Sequence, residues 1–422
     1  MACSGVPDRL TRFREYMAHL DAGADPRHAI ARGLFVARPL RKGRSLFEEI
    51  AGRLELHPGS SHLVLGGIGS GKTTQLLMAE KRLAENHDCT ALYIDVSLHQ
   101  DISKLRPQTL LALAGLRLAE RLDPGSRIAL KQPLARLREL AHGYGYFETD
   151  YSAYGPPDDD EPPEPDDEPP EPPTVYRHVP PLITPPTVKS EKTPWNETAE
   201  SLRVIHDSLA ARTPHVILML DSMDRIVDPT GFENAVAEDL AILGKLRIGA
   251  VMVGPATLLY GTHRPIARLF DQMHVVTTPD PEDRTEREFL LRVLSTRAPA
   301  GLLSAEGSAR LVHLSGGVLR DLVGIARNAG EEAYLSGDES IAENHADAAG
   351  EEFGRTLLLG LDSSELAKLQ VVRTQGQFIY TTDKDLALLI TGRVLEYRSG
   401  RAVRYAVHPT IQGLLAQLAG ET

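Results

Sequence analysis

The sequence predicts an α/β fold: a five-stranded parallel sheet carrying a phosphate-binding loop, then a helical lid and a C-terminal winged helix. Three observations carry this. A short apolar strand runs straight into Gly66-Gly67-Ile68-Gly69-Ser70-Gly71-Lys72-Thr73-Thr74, which contains the pattern G-x-x-x-x-G-K-S/T of a P-loop NTPase. A second apolar run, His215 to Leu220, ends in Asp221 and has no polar alternation, as in a strand buried on both faces. Further short apolar runs alternate with helical stretches, which implies right-handed crossovers and parallel pairing.

Residues 1–50 read as a mixed-charge helical segment, with 33–40 extended. Ser45 to Leu56 follows as an amphipathic helix with Leu46, Phe47, Ile50 and Leu54 on one side. It leads into the first strand, so it either borders a nucleotide base or packs on the sheet edge.

The P-loop NTPase core is assigned to 51–282. Gly66, Gly69 and Gly71 let the loop backbone curl so that successive N–H groups converge on a phosphate. Lys72 can reach the β- and γ-phosphates as a flexible ammonium, and the Thr73 hydroxyl can join a Mg²⁺ shell. The helix from about Lys72 to Asn86 aims its positive end at the same place. The other strands are placed at 91–96, 215–221, 249–254 and 274–277. Asp221, at the carboxyl end of its strand, falls where ligands collect in open α/β sheets and is the candidate metal-holding acid. Asp224, three positions on, is the candidate to orient or deprotonate a water. Its alternatives are capping the next helix or pairing with Arg225.

An insertion is expected over 144–194, rich in proline and acid. Proline blocks helix and ladder bonding and the acids repel each other, so this stretch reads as disordered or polyproline-like. It serves as a passive loop or as a site for a basic or proline-reading partner. Residues 283–350 read as the helical lid. There Gly316-Gly317-Val318-Leu319-Arg320 opens a helix whose arginine could reach a γ-phosphate. In 351–422, two helical stretches precede 394–407, where Ser399-Gly400 signals a hairpin between alternating strands. Helices followed by such a hairpin suggest a winged helix.

The bulk properties exclude several classes. Of the net charge of −12, eleven acids between Glu148 and Glu171 account for all but −1. The rest is near neutral, so the net charge says nothing about an acidic or basic partner. Within 357–422 bases and acids nearly balance, only the hairpin itself being positive, where a DNA-binding domain usually shows a clearer basic footprint. Two cysteines exclude a disulfide scaffold. No apolar segment is long enough for a membrane span, and the charged N-terminus argues against a signal peptide. A soluble cytoplasmic protein is expected.

The chain resembles the AAA+/STAND group of P-loop ATPases, in particular small prokaryotic members. The phosphate loop matches fully. Asp221-Ser222-Met223-Asp224-Arg225 is similar to the D-G-L-D-E/R form of the Walker B motif in NACHT and KAP-type ATPases. Gly316-Gly317-x-x-Arg320 resembles a sensor 2 motif, and Tyr397, Gly400 and Val407-His408-Pro409 resemble the winged-helix ending of these proteins and of origin-recognition ATPases. The sequence departs from the family at Ser222, where most AAA+ hydrolases have Glu, and at Gly254-Pro255, where a polar sensor 1 is expected, although Thr257 follows. Arg264 and Arg268 lie where the family places an arginine acting in trans.

The resemblance implies an ATP/ADP- and Mg²⁺-dependent switch, used by relatives in signalling and defence, with self-association or a separate effector protein as partner. A DNA-remodelling ATPase using the winged helix, and a nucleotide-binding scaffold that hardly hydrolyses, are the alternatives.

Overall fold

The computed structural model describes residues 8–21, 25–39, 43–102, 105–142, 194–210, 213–226, 228–260, 264–399 and 402–420. Apart from Pro194, the proline-rich insertion lies outside these residues, as do Gly400 and Arg401 of the hairpin turn.

In chain order the first elements are α1 (Arg9–His19), α2 (Pro26–Ala31), α3 (Leu46–Leu56), β1 (Ser61–Gly66), α4 (Lys72–Ala84) and β2 (Cys89–Asp95). Then come α5 (Thr109–Ala119), α6 (Pro124–Ala129), α7 (Lys131–His142), α8 (Pro194–Ala210), β3 (His215–Asp221), α9 (Pro229–Lys245), β4 (Gly249–Val253) and β5 (Gln272–Val276). These five strands form one parallel sheet in the order β2-β3-β4-β1-β5. The expected α/β P-loop NTPase fold is therefore present, with the strands at the expected places.

Both sheet faces are covered. Val216, Leu218 and Leu220 of β3 enter a core with α5, α7, α8 and α9, while Ile217 and Met219 enter a second core with α3 and α4. Two-sided burial is why the run showed no alternation. α3 is fixed at its start by Ser45, whose N–H and hydroxyl both donate to Glu48 Oε2 at 2.7 Å. At the other end of β1, His62 and His274 stack, with Nδ1 of the first 3.0 Å from Nε2 of the second.

Beyond the sheet, α10 (Arg284–Ser295), α11 (Ala305–Leu314), α12 (Leu319–Leu335) and α13 (Glu343–Leu358) pack together. α1 joins this cluster through Phe13, Tyr16 and Leu20. Tyr16 donates to Ala326 O at 3.2 Å, and the Arg9 guanidinium donates to Ala333 O and Tyr334 O at 3.1 and 2.7 Å, adding to the backbone N–H groups of Asp338 and Gly337 that already cap these carbonyls at the end of α12. The N-terminal segment is thus shared: α1 sits on the helical cluster and α3 on the sheet.

The remaining elements are α14 (Ser363–Gln375), α15 (Asp383–Ile390), the antiparallel pair β6 (Val394–Ser399) and β7 (Ala402–Val407), and α16 (Pro409–Leu418). They have a small core of their own, including Leu369, Val372, Leu388, Val394 and Ile411. The unit docks by polar ties. Tyr397 donates to Gly316 O at 2.8 Å, and Arg404 donates to both Asp280 oxygens at 2.7 and 2.8 Å. α16 lies so close to α13 that a Cβ on Gly354 would stand 2.3 Å from Thr410 O. Among the described residues, no helix is long and apolar enough to cross a membrane.

Candidate nucleotide-binding site

The strand order brings the carboxyl ends of β1 and β3 to one edge of the sheet, with β4 between them. β1 ends at Gly66, and the next turn leads into α4 through Gly71, whose φ of 88° is left-handed. Gly69, at φ 77°, has a further constraint: a Cβ there would lie 2.7 Å from Arg320 Cβ. Only glycine meets both the conformation and the approach. Gly67 and Ile68 form the outer part of the loop, with Ile68 half exposed. The Ser70 hydroxyl oxygen is buried and has no hydrogen-bond partner among the described residues. An orphaned buried hydroxyl inside a phosphate-type loop is a group that a ligand would satisfy.

Lys72 is the first residue of α4 and is 5% exposed. Its ammonium donates to Gly66 O at 3.1 Å and Gly67 O at 2.9 Å, and pairs with Asp224 Oδ2 at 2.9 Å. Thr73 and Thr74 follow, both half-buried. The structure therefore brings together the sequence candidates of the loop and both acids of the Asp221–Asp224 motif. It also gives Asp224 a definite partner: Lys72, and not Arg225.

Asp221 is 2% exposed. Its Oδ2 accepts from the Tyr93 hydroxyl at 2.8 Å and its Oδ1 from Ser222 N at 2.7 Å, and the Thr73 hydroxyl lies near the carboxyl. Burial pushes the carboxyl above its ordinary range, and the Thr73, Ser222 and Tyr93 donors only partly offset this. A dry carboxylate beside a threonine hydroxyl is a hard-oxygen set suited to Mg²⁺. Ser222 takes a left-handed conformation, φ 71°, to turn the chain into the short helical turn Met223–Arg225. That is the position where the resembled motif has glycine, and the turn geometry gives the physical reason for glycine there.

Sequence reasoning missed Tyr93. It sits in β2, paired in register with Met219, so it shares the face of Asp221 two positions on. A tyrosine two residues from the end of an apolar run was the visible signal, but its partner depends on strand order.

Arg320 lies at the start of α12, exposed, with its backbone N donating to Gly69 O at 3.3 Å. It helps line a cleft between the loop (Gly67, Ile68), the end of β5 (Val276, Thr277), Tyr260 and the hairpin (Leu395, Arg398). The Thr257 hydroxyl, in the turn after β4, is buried and without a partner among the described residues. Arg268 is exposed in the turn Arg264–Leu269 before β5, and Arg264 begins that turn.

No family model and no curated protein matches the chain. Among solved structures, it is similar to the Aeropyrum pernix ORC2 protein in ADPNP–ADP complexes, at 14% identity and TM-score 0.43, over 92% of this chain and 97% of that one. It is similar to Drosophila ORC bound to DNA at 12% identity and TM-score 0.43, over 99% and 95%. The Thermotoga maritima RuvB Holliday junction branch migration motor matches at 12% identity and TM-score 0.39, over 87% and 94%. These overlaps are loose, and the fold rests on the strand order and the loop described above.

Proposed function

We propose that this chain is a Mg²⁺-dependent ATP-binding switch of AAA+/STAND type that hydrolyses ATP slowly. The observation that carries it is the meeting of Lys72, Thr73, Asp221 and Asp224 at one edge of the sheet, two of them as a 2.9 Å ion pair. Gly66 to Thr74 would wrap the phosphates, with Ser70 satisfied by one of them. Thr73 and Asp221 would hold Mg²⁺, which when bound neutralises charge on the β- and γ-phosphates. Lys72 exchanges its Asp224 partner for phosphate, and Asp224 is then released to orient water. Arg320 reaches over the cleft toward the γ-position, and Thr257 is the polar side chain available on the β4 side. Arg264 and Arg268 remain the candidates for action in trans within a self-assembly.

In this reading 51–282 is the ATPase core, with 1–50 as the N-terminal segment and 144–194 as an insertion. Residues 283–350 are the lid and 351–422 are a winged helix, whose contact with the lid and cleft makes it responsive to the nucleotide. The output passes to a separate effector protein or to self-assembly.

The DNA reading has less support. Of the hairpin arginines, Arg398 is paired with Glu396 and bonded to Tyr260, and Arg404 is committed to Asp280. A DNA-reading hairpin needs such groups free for phosphate.

Turnover of ATP by the purified chain, with bound nucleotide identified after denaturation and with Lys72→Ala and Asp224→Ala alongside, tests the proposal. Turnover lost in both variants is expected. Bound nucleotide without turnover would reduce the protein to a latch or scaffold, and Lys72→Ala behaving as wild type would overturn the assignment.

A further inference from the structure

Tyr93 is 8% exposed, and its ring packs in the core between the sheet and α4. Phenylalanine would fill that space equally well, so the hydroxyl needs its own explanation. The hydroxyl donates at 2.8 Å to Asp221 Oδ2. The residue is held from two other sides. Its backbone N–H, on the outer side of edge strand β2, donates to Glu80 Oε1 of α4 at 2.9 Å, and the Arg27 guanidinium of α2 lies over its ring at 5.0 Å. The backbone that carries the ring is thus tied to the same helix whose first turn carries Lys72 and Thr73.

We propose that Tyr93 is a positioning residue for the metal-holding carboxylate, setting the orientation of Asp221 toward Thr73. The inference rests on the nucleotide-binding reading above. An ionised carboxylate offers about four acceptor directions. Tyr93 takes one direction of Oδ2 and Ser222 N one of Oδ1, and Tyr93 so fixes which remaining direction faces a cation. Without it, Asp221 stays buried but loses the donor that holds its rotamer, and metal affinity falls while nucleotide contacts stay. Arg27 extends this dependence to the N-terminal segment.

The test is calorimetric titration of ADP into the full chain, over a series of MgCl₂ concentrations and in EDTA, for wild type, Tyr93→Phe, Asp221→Asn, the double variant and Lys72→Ala. Tyr93→Phe is expected to raise the Mg²⁺ needed for half-maximal enhancement of ADP affinity by about tenfold. Its affinity in EDTA and its Tm should stay at wild-type values, and the substitution should add nothing in the Asp221→Asn background. A half-point within about twofold of wild type overturns the inference, as does an equal shift in the Asp221→Asn background or an equal loss in EDTA. ADP binding that is the same in wild type and Lys72→Ala overturns the nucleotide-site reading as well, and so separates the two failures.

Discussion

β3 and the β6–β7 hairpin are both strands near the same cleft, yet they are held differently. Val216 to Leu220 are fully buried and Asp221 is 2% exposed, because helices cover both faces of the sheet. The hairpin's contacts with the rest of the molecule include Tyr397 on Gly316, Arg404 on Asp280 and Glu282, Arg398 beside Tyr260, and a small cluster of Val318, Leu395 and Tyr397. Apolar burial is cooperative and global, whereas single polar ties in partly exposed positions contribute little each. The site-bearing edge is therefore held by deep burial on both faces, and the hairpin beside it by fewer and shallower contacts.

Breaking the sheet should have the largest effect. Leu220→Ala leaves a cavity between β3 and its covering helices, and a loss of about 2–5 kcal/mol is expected, read as a fall in global Tm. Lys72→Ala probes chemistry on the same edge: nucleotide affinity should fall by about 100-fold or more, roughly 2.7 kcal/mol, with little change in the Tm of the ligand-free chain. Titration calorimetry and a thermal melt together check this.

Acid separates the two regions further. Burial, together with the proximity of the other ring and of Arg53, lowers the His62 pKa to about 4; His274 is likewise lowered to about 4, chiefly by burial. In the unfolded chain each titrates near 6.5. The folded sheet therefore binds fewer protons, and stability present above pH ~6.5 is lost as pH falls toward about 4. In the C-terminal unit, donors from Ser364, Lys384 and Glu365 hold Asp362 well below the usual range. Asp385 is also low, because the Thr381 and Thr382 donors outweigh its burial. Those groups keep their contribution until pH falls below the ordinary carboxylate range. Hydrogen exchange at pH 7, 5.5 and 4.5 should show the sheet losing protection first, and His274→Leu should flatten its slope between pH 6.5 and 5.

The smallest effect is expected for Arg404→Ala. This arginine is partly exposed, so roughly 1 kcal/mol or less is at stake. Exchange should quicken in 394–407 without a change in the global transition. An equal loosening of β3 would remove the distinction drawn above.

Much of the site-bearing region was legible from sequence, because each of its demands leaves a local trace. Gly69 and Gly71 answer left-handed turns, Lys72 and Thr73 follow at fixed spacing, and β3 shows its two-sided burial as an unbroken apolar run. The contacts of the second kind were not legible. Tyr93 on Asp221, Arg404 on Asp280 and Lys72 on Asp224 pair residues that are far apart in the chain or ambiguous in role. Which polar side chain meets which depends on strand order and docking, not on periodicity. Arg398 and Arg404 show the cost of reading charge without partners: as sequence they suggested a basic hairpin, and in the structure each is already neutralised.

The packing of α1 has a consequence in time. Tyr16 meets Ala326, 310 residues later in the chain. At ribosomal rates of about 5–20 residues per second, roughly 15–60 s separate their synthesis. For that interval the apolar side of the nascent helix, with Phe13, Tyr16 and Leu20, lacks its partners on α12. The sheet, whose strands are all made before α10, can be complete while α1 is still waiting. A chaperone that holds exposed apolar segments would find a clear target in α1.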